Sequence, residues 1–279
     1  MENLIHYIKG ELLSVYDGAE AAAVAREVAE TCFGVSLIQA YSGTARQLSP
    51  DEKLRLRDIL VRLRNQEPLQ YVLGEARFMG HVFRVAPGVL IPRPETEELV
   101  SCVLREDSGR APVVVDAGTG SGCIAVSVKL ALPEAQVVGV DVSEEALRQA
   151  RANADRLGAD VRFFCADLLR PDSLPRLRAD VLVSNPPYVR LSERDGMERR
   201  VKDFEPSEAL FVPDGDALKF YAALAEWGRV ALNPGGRILV EINSALGKET
   251  VSLFRSRGYR DTTLLKDRFG KDRIVICSI

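Results

Sequence analysis

Few residues in this sequence suit a metal or disulfide site, and their spacing fits neither. The five cysteines lie far apart without a C-x-x-C pair, and His6 and His81 have no neighbour at ligand spacing. Zinc sites and disulfide frameworks depend on such spacings, so we expect neither, and we expect chemistry without a metal ion. Isolated cysteines on apolar stretches are typical of buried residues in a reducing compartment.

Long apolar runs and an excess of basic charge are also missing. No apolar run reaches the roughly 18–20 residues that span a bilayer, and the N-terminal MENLIHYIKG does not have the order of a signal peptide. The chain carries 37 basic and 40 acidic residues, a net charge of −3, whereas proteins held on phosphate backbones usually carry a basic excess. We therefore expect a cytoplasmic monomer with no membrane partner and no direct nucleic-acid partner.

The 279 residues are near the length at which one core commonly gives way to two domains, roughly 250–300 residues. Residues 1–66 have the apolar spacing of helices, and Ser49-Pro50-Asp51-Glu52 is a capping box that predicts a helix through Leu63. Residues 67–92 are expected to form a linker and a β-hairpin, with Pro87-Gly88 as its turn. Residues 93–279 are expected to form the second domain.

In the second domain, short apolar strands alternate with amphipathic helices. The predicted strands are residues 113–118, 137–142, 161–166, 180–185 and 236–242, with two more near 259–265 and 273–278. The predicted helices lie near 122–132, 144–157, 216–231 and 247–256. Near-continuous apolar strands suit a parallel sheet covered on both faces, so the pattern predicts a doubly wound α/β sheet.

A glycine-rich turn follows the first strand in the order Asp116-Ala117-Gly118-Thr119-Gly120-Ser121-Gly122. Turns of this kind let the backbone approach a ligand at the N-terminus of the next helix. NAD binding needs G-x-G-x-x-G, but Cys123 stands where the last glycine would be. The D-x-G-x-G-x-G order instead resembles motif I of class I methyltransferases, which implies S-adenosylmethionine as the cofactor and S-adenosylhomocysteine as the product.

Two more acids follow the next two strands. Asp141 is placed to accept hydrogen bonds from both ribose hydroxyls, and Asp167 is placed to accept from the adenine amino group. Leu168 would offer its backbone N–H and apolar side chain to the ring. The alternative is that each acid is a helix cap or turn residue, and Asp141 would serve the helix that begins after Ser143.

The fourth strand ends in Asn185-Pro186-Pro187-Tyr188. Two prolines after a strand make a stiff loop with free carbonyls. If the Asn185 side-chain oxygen and the Pro186 carbonyl accept both hydrogens of a planar NH2 group, its nitrogen is aligned with a methyl donor. Tyr188 would lie against the flat acceptor. The sulfonium makes the methyl electrophilic, so this interpretation needs no general base.

These segments resemble those of a known family along nearly the whole chain. N-P-P-Y is similar to motif IV of amino-methyltransferases, which act on adenine, cytosine or glutamine. LIPRPETEELV (90–100), EPLQYVLGEARFMG (67–80) and Phe204-Glu205-Pro206 resemble the peptide chain release factor N5-glutamine methyltransferases, the PrmC/HemK family. The resemblance implies a class I methyltransferase fold, Rossmann-like with a doubly wound seven-stranded sheet, a small N-terminal helical domain and a β-hairpin linker.

The resemblance also implies an activity and residue roles. The substrate would be the glutamine of the GGQ motif of a peptide chain release factor, with residues 1–66 holding that partner. Gly118 to Gly122, Asp141, Leu168 and Asn185 would contact the cofactor. Asn185 to Tyr188 would bind the glutamine, and Asn185, Pro186 and Tyr188 would be catalytic. Arg93 and Glu95 match the family motif and are expected to have a structural or gating role.

One segment departs from the family, and two alternatives stay open. The family often has E-I-G-x-x-Q-G after the fifth strand, where this chain has EINSALG from Glu241. The charged residues 192–205 are either a solvated surface or a docking loop, in which Arg194, Arg199, Arg200 and Lys202 would steer a partner. The alternatives to glutamine methylation are N6-adenine or N4-cytosine methylation of DNA or RNA, or a nucleotide-binding or interaction module without catalysis.

Overall fold

A computed structural model describes residues 4–35, 47–107 and 109–279. The chain divides into two compact units. One takes residues up to Glu75 together with Glu198–Phe204, and the other takes Ala76–Met197 and Glu205–Ile279. The division predicted at residues 66 and 92 stays a prediction, and the expected helical character of residues 36–46 lies outside the described residues.

The first unit is helical, and its helix bounds follow capping signals. Its helices are α1 (Leu4–Leu12), α2 (Gly18–Phe33), α3 (Pro50–Arg64), α4 (Leu69–Leu73) and, from the later segment, α8 (Arg199–Lys202). The predicted capping box is confirmed, since Glu52 N donates to Ser49 Oγ at 3.2 Å and Ser49 N donates to Glu52 Oε2 at 2.8 Å. Asp17 caps α2, and Gly34 ends it with a φ of 63°.

The charged segment contributes α8 to this unit. The Arg200 guanidinium donates to Glu20 Oε1 at 2.6 Å and lies 5.4 Å from the ring centre of Tyr16. Arg200 is thus paired within its own unit, in addition to its contact with Glu198. The short helix α4 was missed because Pro68 and Gly74, which bound it, were interpreted as marks of a linker.

The β-hairpin exists, but its predicted turn was wrong. The strands are β1 (Glu75–Phe78) and β2 (His81–Arg84), so the turn is Met79-Gly80 and not Pro87-Gly88. Both turn residues have positive φ, 49° and 76°, which suits the twist of a two-residue hairpin. Pro87-Gly88 lies beyond β2. The aromatic rings of Phe78 and Phe83 meet edge to face, with centroids 6.0 Å apart.

The second unit contains the predicted seven-stranded sheet. Its strands are β3 (Val113–Ala117), β4 (Gln136–Asp141), β5 (Val161–Cys165), β6 (Ala179–Ser184), β9 (Leu232–Glu241), β10 (Arg260–Lys266) and β11 (Asp272–Ser278). Their order is β10-β11-β9-β6-β3-β4-β5, with β11 antiparallel to both neighbours and the other pairs parallel. The short strands β7 (Val189–Arg190) and β8 (Phe211–Val212) pair separately and were not predicted.

Helices cover both faces of this sheet. They are α5 (Pro94–Asp107), α6 (Cys123–Ala131), α7 (Glu144–Leu157), α10 (Lys219–Ala231) and α11 (Gly247–Ser256), while the short α9 (Ser207–Leu210) directly precedes β8. Successive strand residues alternate between two cores: Val114 packs with the helices on one face and Val115 with those on the other. None of the described helices has the length and apolar character that a bilayer crossing requires.

The direction of the chain reverses around the central strand β3. From β3 it moves outward to β4 and β5, and then returns to β6 on the other side of β3. Ligands of doubly wound sheets bind at the carboxyl ends of the strands beside such a reversal. The glycine-rich turn follows β3 and the N-P-P-Y segment follows β6, so both lie at this edge.

Replacing Gly122 by alanine is expected to lower the free energy of unfolding by about 2–4 kcal/mol, because a left-handed φ and overpacking both add cost. The φ of Gly122 is 81°, and a Cβ there would lie 3.1 Å from Ala150 Cβ. Gly235→Ala is the matched control, since Gly235 has a φ of 77° and open space around it. Urea denaturation of both variants tests this, and equal losses would show that the contact with Ala150 is unimportant.

Candidate active site

The glycine-rich turn leaves open space where a ligand would approach. Gly118 and Gly120 have φ angles of 75° and 55°, and a Cβ built on either would meet no atom within 4 Å. Gly118 N donates to Val140 O at 2.7 Å, which holds the turn against the end of β4. Left-handed backbone without steric crowding is the conformation that glycine supplies, so the loop is open along the side of its first two glycines.

Asp116 lies under this turn and was not singled out as a ligand from the sequence. Its Oδ2 accepts from Thr119 Oγ1 at 2.6 Å and from Ala125 N at 3.2 Å. Its Oδ1 is buried without a hydrogen-bond partner. Burial raises the pKa of Asp116 to about 7. The signal in the sequence was the leading Asp of the motif, and the structure turns the Thr119 side chain inward to it.

Two backbone amide groups orient Asp141. Its Oδ2 accepts from Gly120 N at 2.9 Å, and its Oδ1 accepts from Ser143 N at 2.9 Å. The cap of α7 is Ser143, which accepts from Ala146 N at 3.2 Å, so Asp141 is not the capping residue. Burial raises the pKa of Asp141 despite these amide donors. The carboxylate is therefore fixed between the glycine-rich turn and the loop after β4.

Asp167 has the contacts of a turn residue. Its Oδ1 accepts from Leu169 N at 2.9 Å, and Arg170 Nε lies 3.4 Å from its Oδ2. Ala166 N donates to Asp141 O at 2.9 Å, which places the loops after β4 and β5 side by side. Leu168 packs against the core on the α10 side of the sheet. The adenine role of Asp167 and Leu168 stays a prediction.

The N-P-P-Y segment is attached to the end of the central strand. Ala117 pairs with Ser184 in the register of β3 and β6, and Ser184 Oγ donates to Ala117 O at 2.6 Å. Gly118 and Asn185 are the next residues along these two strands. The structure therefore brings the glycine-rich turn and the N-P-P-Y segment together at neighbouring positions, with Pro186 buried and Pro187 half-buried behind Asn185.

A buried glutamate lies behind this segment. Glu241, at the end of β9, accepts from Thr96 Oγ1 at 2.7 Å and from Tyr188 OH at 3.0 Å. Thr96 Oγ1 in turn lies 3.1 Å from Asn185 Nδ2. Burial raises the pKa of Glu241, and burial and the neighbouring Glu241 raise the pKa of Tyr188. Sequence reasoning assigned no role to Thr96, which lies in a segment that carried the resemblance, or to Glu241, which begins the segment that departs from the family.

Glu205 holds the segment that precedes α5. Its Oε2 accepts from Ile91 N at 3.1 Å, and its Oε1 accepts from the Arg93 guanidinium. Glu205 is 5% exposed, and a buried carboxylate of this kind needs its charged partner. The pair fixes the backbone at the start of α5, from which Thr96 projects. The structural or gating role expected for Arg93 stays a prediction. The contact with Glu205 is the interaction through which Arg93 would fill a structural role.

Asn243 stands where the family often has glycine, and its side chain makes three hydrogen bonds. Its Nδ2 donates to Tyr188 O at 3.1 Å and to Glu193 Oε2 at 2.9 Å, while its Oδ1 accepts from Ala245 N at 2.9 Å. The loop after β9 is thereby attached to the loop after β6. The departure at this position adds a support for the N-P-P-Y segment.

Comparison with known proteins identifies the family. A release factor glutamine methyltransferase of Bacteroides thetaiotaomicron is 44% identical over 275 residues, which cover 99% of each chain. This chain belongs to the release factor glutamine methyltransferase family. The member from Flavobacterium psychrophilum is 42% identical and covers 82% of this chain and 83% of its own. The PrmC N-terminal domain model matches residues 4–74, and the methyltransferase small domain model matches residues 94–202.

The fold of this family member is also found in a solved structure. The Thermus thermophilus 16S rRNA N2 G1207 methyltransferase, in complex with AdoMet and guanosine, aligns with a TM-score of 0.54 at 20% identity. The alignment covers 73% of this chain and 49% of that one. The class I methyltransferase fold expected from the sequence is confirmed. Among the described residues, no three His, Cys, Asp or Glu side chains cluster as metal ligands.

Replacing Asn243 by alanine is expected to lower the free energy of unfolding by about 1–3 kcal/mol, because its partners lose their hydrogen bonds. Glu193→Ala and the double variant complete a cycle that isolates the contact between these two side chains. Urea denaturation of the four proteins measures it, with an expected coupling of about 1 kcal/mol. Strictly additive losses would contradict a direct stabilising contact.

Proposed function

We propose that this chain methylates the side-chain amide nitrogen (N5) of the glutamine in the GGQ motif of peptide chain release factors, using S-adenosyl-L-methionine. The names of its relatives support the class of substrate. The observation that carries the chemistry is the pairing of Ala117 with Ser184, because it puts the glycine-rich turn and Asn185 at adjacent strand ends.

Two features of this edge fit the cofactor. Open space over Gly118 and Gly120 admits a ligand close to the backbone, and the buried, unpartnered Oδ1 of Asp116 is an acceptor that suits a cationic amino group. Asp141 would accept from the ribose hydroxyls, and Asp167 and Leu168 would bind the adenine ring. Thr119, Ser121 and Gly122 would complete the loop around it.

When bound, S-adenosylmethionine would supply an electrophilic methyl group for transfer to the amide nitrogen. The chain's own residues bind and orient that nitrogen. The Asn185 side-chain oxygen and the Pro186 carbonyl accept the two amide hydrogens, and Pro187 keeps the loop stiff. Tyr188 lies along the amide plane. Positioning of this kind is worth up to about 7–11 kcal/mol of the barrier. The extra proton leaves to water, so no general base is needed.

Residues 1–66 are proposed to dock the release factor. The PrmC N-terminal domain model covers this part of the chain. Its compact apolar core, which includes the fully buried Ile8, Leu12 and Leu63, makes it a rigid support. Part of its surface is the segment that follows the proposed catalytic loop, since Glu198–Phe204 belongs to the same unit.

Incubation with labelled S-adenosylmethionine and a bacterial release factor is expected to add one methyl group. Mass spectrometry should map it to the glutamine of the GGQ motif. A release factor carrying Gln→Ala at this position is the control and should stay unlabelled. Label on another residue, or transfer only to DNA or RNA, would overturn the proposed function and favour the nucleic-acid alternative.

Asn185→Ala is expected to lower kcat by about 10²–10³-fold, the usual effect of losing one such group. Affinity for S-adenosylhomocysteine, measured by calorimetry, should fall much less because Asn185 mainly presents the acceptor. Asn233→Ala is the matched control, because Asn233 donates to Asp180 Oδ1 at 2.9 Å at the other end of β6, where the strand begins. This variant is expected to leave kcat unchanged. Equal losses of turnover and affinity in Asn185→Ala would contradict the presenting role.

A further inference from the structure

The Asn185 side chain can serve its proposed role in only one orientation. Its amide has an oxygen that accepts and a nitrogen that only donates. A substrate NH2 group needs the oxygen, so the Asn185 NH2 group must point away from the substrate. Because the two ends of an amide have the same shape, sterics do not choose between them. The choice falls to the hydrogen-bond partner on the protein side.

That partner is the Thr96 hydroxyl, which carries a single hydrogen. Thr96 Oγ1 lies 3.1 Å from Asn185 Nδ2 and 2.7 Å from Glu241 Oε2. An ionised carboxylate can only accept, so the Thr96 hydrogen points to Glu241. The Thr96 oxygen is then left to accept, and only the Asn185 nitrogen can donate to it.

We propose that Thr96 and Glu241 are positioning residues for the transfer reaction: the negative charge of Glu241 fixes the direction of the Thr96 hydroxyl, which turns the Asn185 oxygen toward the substrate. This inference rests on the function proposed above. Neither residue is placed against the substrate: Thr96 acts through Asn185, and Glu241 acts through Thr96 and also accepts from the Tyr188 hydroxyl.

Tyr188 also donates to Glu241. In the order Tyr188–Glu241–Thr96–Asn185, both hydroxyls therefore donate toward the carboxylate. The Tyr188 hydroxyl lies 3.0 Å from Glu241 Oε1, and its raised pKa keeps it protonated as a donor. Both carboxylate oxygens of Glu241 therefore have a hydroxyl partner inside the protein. Glu241 is 1% exposed, so water does not compete for these positions.

Protonation of Glu241 would allow the hydrogen bonds from Glu241 through Thr96 to Asn185 to run in the reverse direction. The carboxylic acid would donate to Thr96, whose hydrogen would then go to the Asn185 oxygen, and the NH2 group would face the substrate. Burial raises the pKa of Glu241 and Arg273 lowers it, while Glu95 raises it. The other titratable groups facing this residue are Tyr188, Tyr221, whose hydroxyl donates to the Glu241 carbonyl, and Cys123.

Glu241→Gln tests the direction without removing a side chain. Tyr188 donates to the new amide oxygen, which leaves the amide nitrogen to donate to Thr96. The Thr96 hydroxyl then donates to the Asn185 oxygen, so that this oxygen faces Thr96 and the Asn185 NH2 group faces the substrate. We expect kcat to fall at least about tenfold, with little change in the Kd for S-adenosylhomocysteine. Thr96→Val should also lower kcat, whereas Thr96→Ser restores the hydroxyl and should retain most of the turnover.

Thr250→Val is the control for loss of a buried threonine hydroxyl. Thr250 lies in α11 and is fully buried, and its Oγ1 donates to Leu246 O at 2.8 Å. Its kcat is expected to match that of the unaltered protein. A fall in Thr250→Val equal to that in Thr96→Val would mean that the loss reflects general destabilisation, and would overturn the assignment.

The pH profile separates positioning from a merely structural role. The ionised form of Glu241 is required, so kcat should fall as the pH drops through its raised pKa, at a higher pH than an ordinary glutamate would give. Glu241→Gln has no such group and should lose this acid limb. Asp116 and Asp141, whose pKa values are also raised, can add acid limbs in both proteins, so the test is the difference between the two profiles, and identical profiles would overturn the proposal.

A substrate-free measurement keeps the orientation testable by itself. In nitrogen-15 spectra, the Asn185 side-chain NH2 signal is identified by its loss in Asn185→Ala. Its hydrogens should exchange slowly with water in the unaltered protein, where the NH2 group donates to Thr96, and faster in Glu241→Gln, where the NH2 group faces the substrate side. Equal exchange rates would overturn the positioning role. Absence of methyl transfer by the unaltered protein would instead overturn the proposed function, and the exchange result would still decide the amide orientation.

Discussion

The parallel pairing of β3 with β6 is the constraint on which the rest of this site depends. It places Ala117 beside Ser184 in the middle of the sheet, and the Ser184 hydroxyl closes the pair. The glycine-rich turn and the N-P-P-Y segment leave the sheet from these two residues. Helices pack their apolar sides on both faces of the sheet, so the strand ends are fixed by the core and not by the loops themselves. Positioning catalysis needs this rigidity.

Burial of acidic groups is the cost of this arrangement. Asp116, Asp141 and Glu241 all have raised pKa values because burial disfavours their charged forms. Backbone amides stabilise Asp141 and hydroxyls stabilise Glu241, whereas one oxygen of Asp116 stays unpartnered. All three groups lie at or near the carboxyl ends of parallel strands, β3, β4 and β9.

The departure from the family pattern at Asn243 illustrates how a local change can be absorbed. A glycine has no side chain, but Asn243 fills its position with three hydrogen bonds that include the Tyr188 carbonyl and Glu193. The charged segment is likewise divided by the fold. Arg200 pairs with Glu20 in the helical unit, and Arg194 lies over the Phe211 ring in the other unit. Sequence alone treated these residues as one charged loop.

Periodicity and turn residues in the sequence were enough to predict the doubly wound sheet, the capped helix after Ser49 and the strand-end positions of Gly118, Asp141 and Asn185, because these depend on contacts close along the chain. Local pattern failed at the hairpin, where the turn is Met79-Gly80, and it did not single out Asp116, Thr96 or Glu241. Thr96 and Glu241 are 145 residues apart in sequence and meet only because α5 packs beside β9. Which atom of Asn185 faces outward depends on that meeting, and only the tertiary structure brings it about.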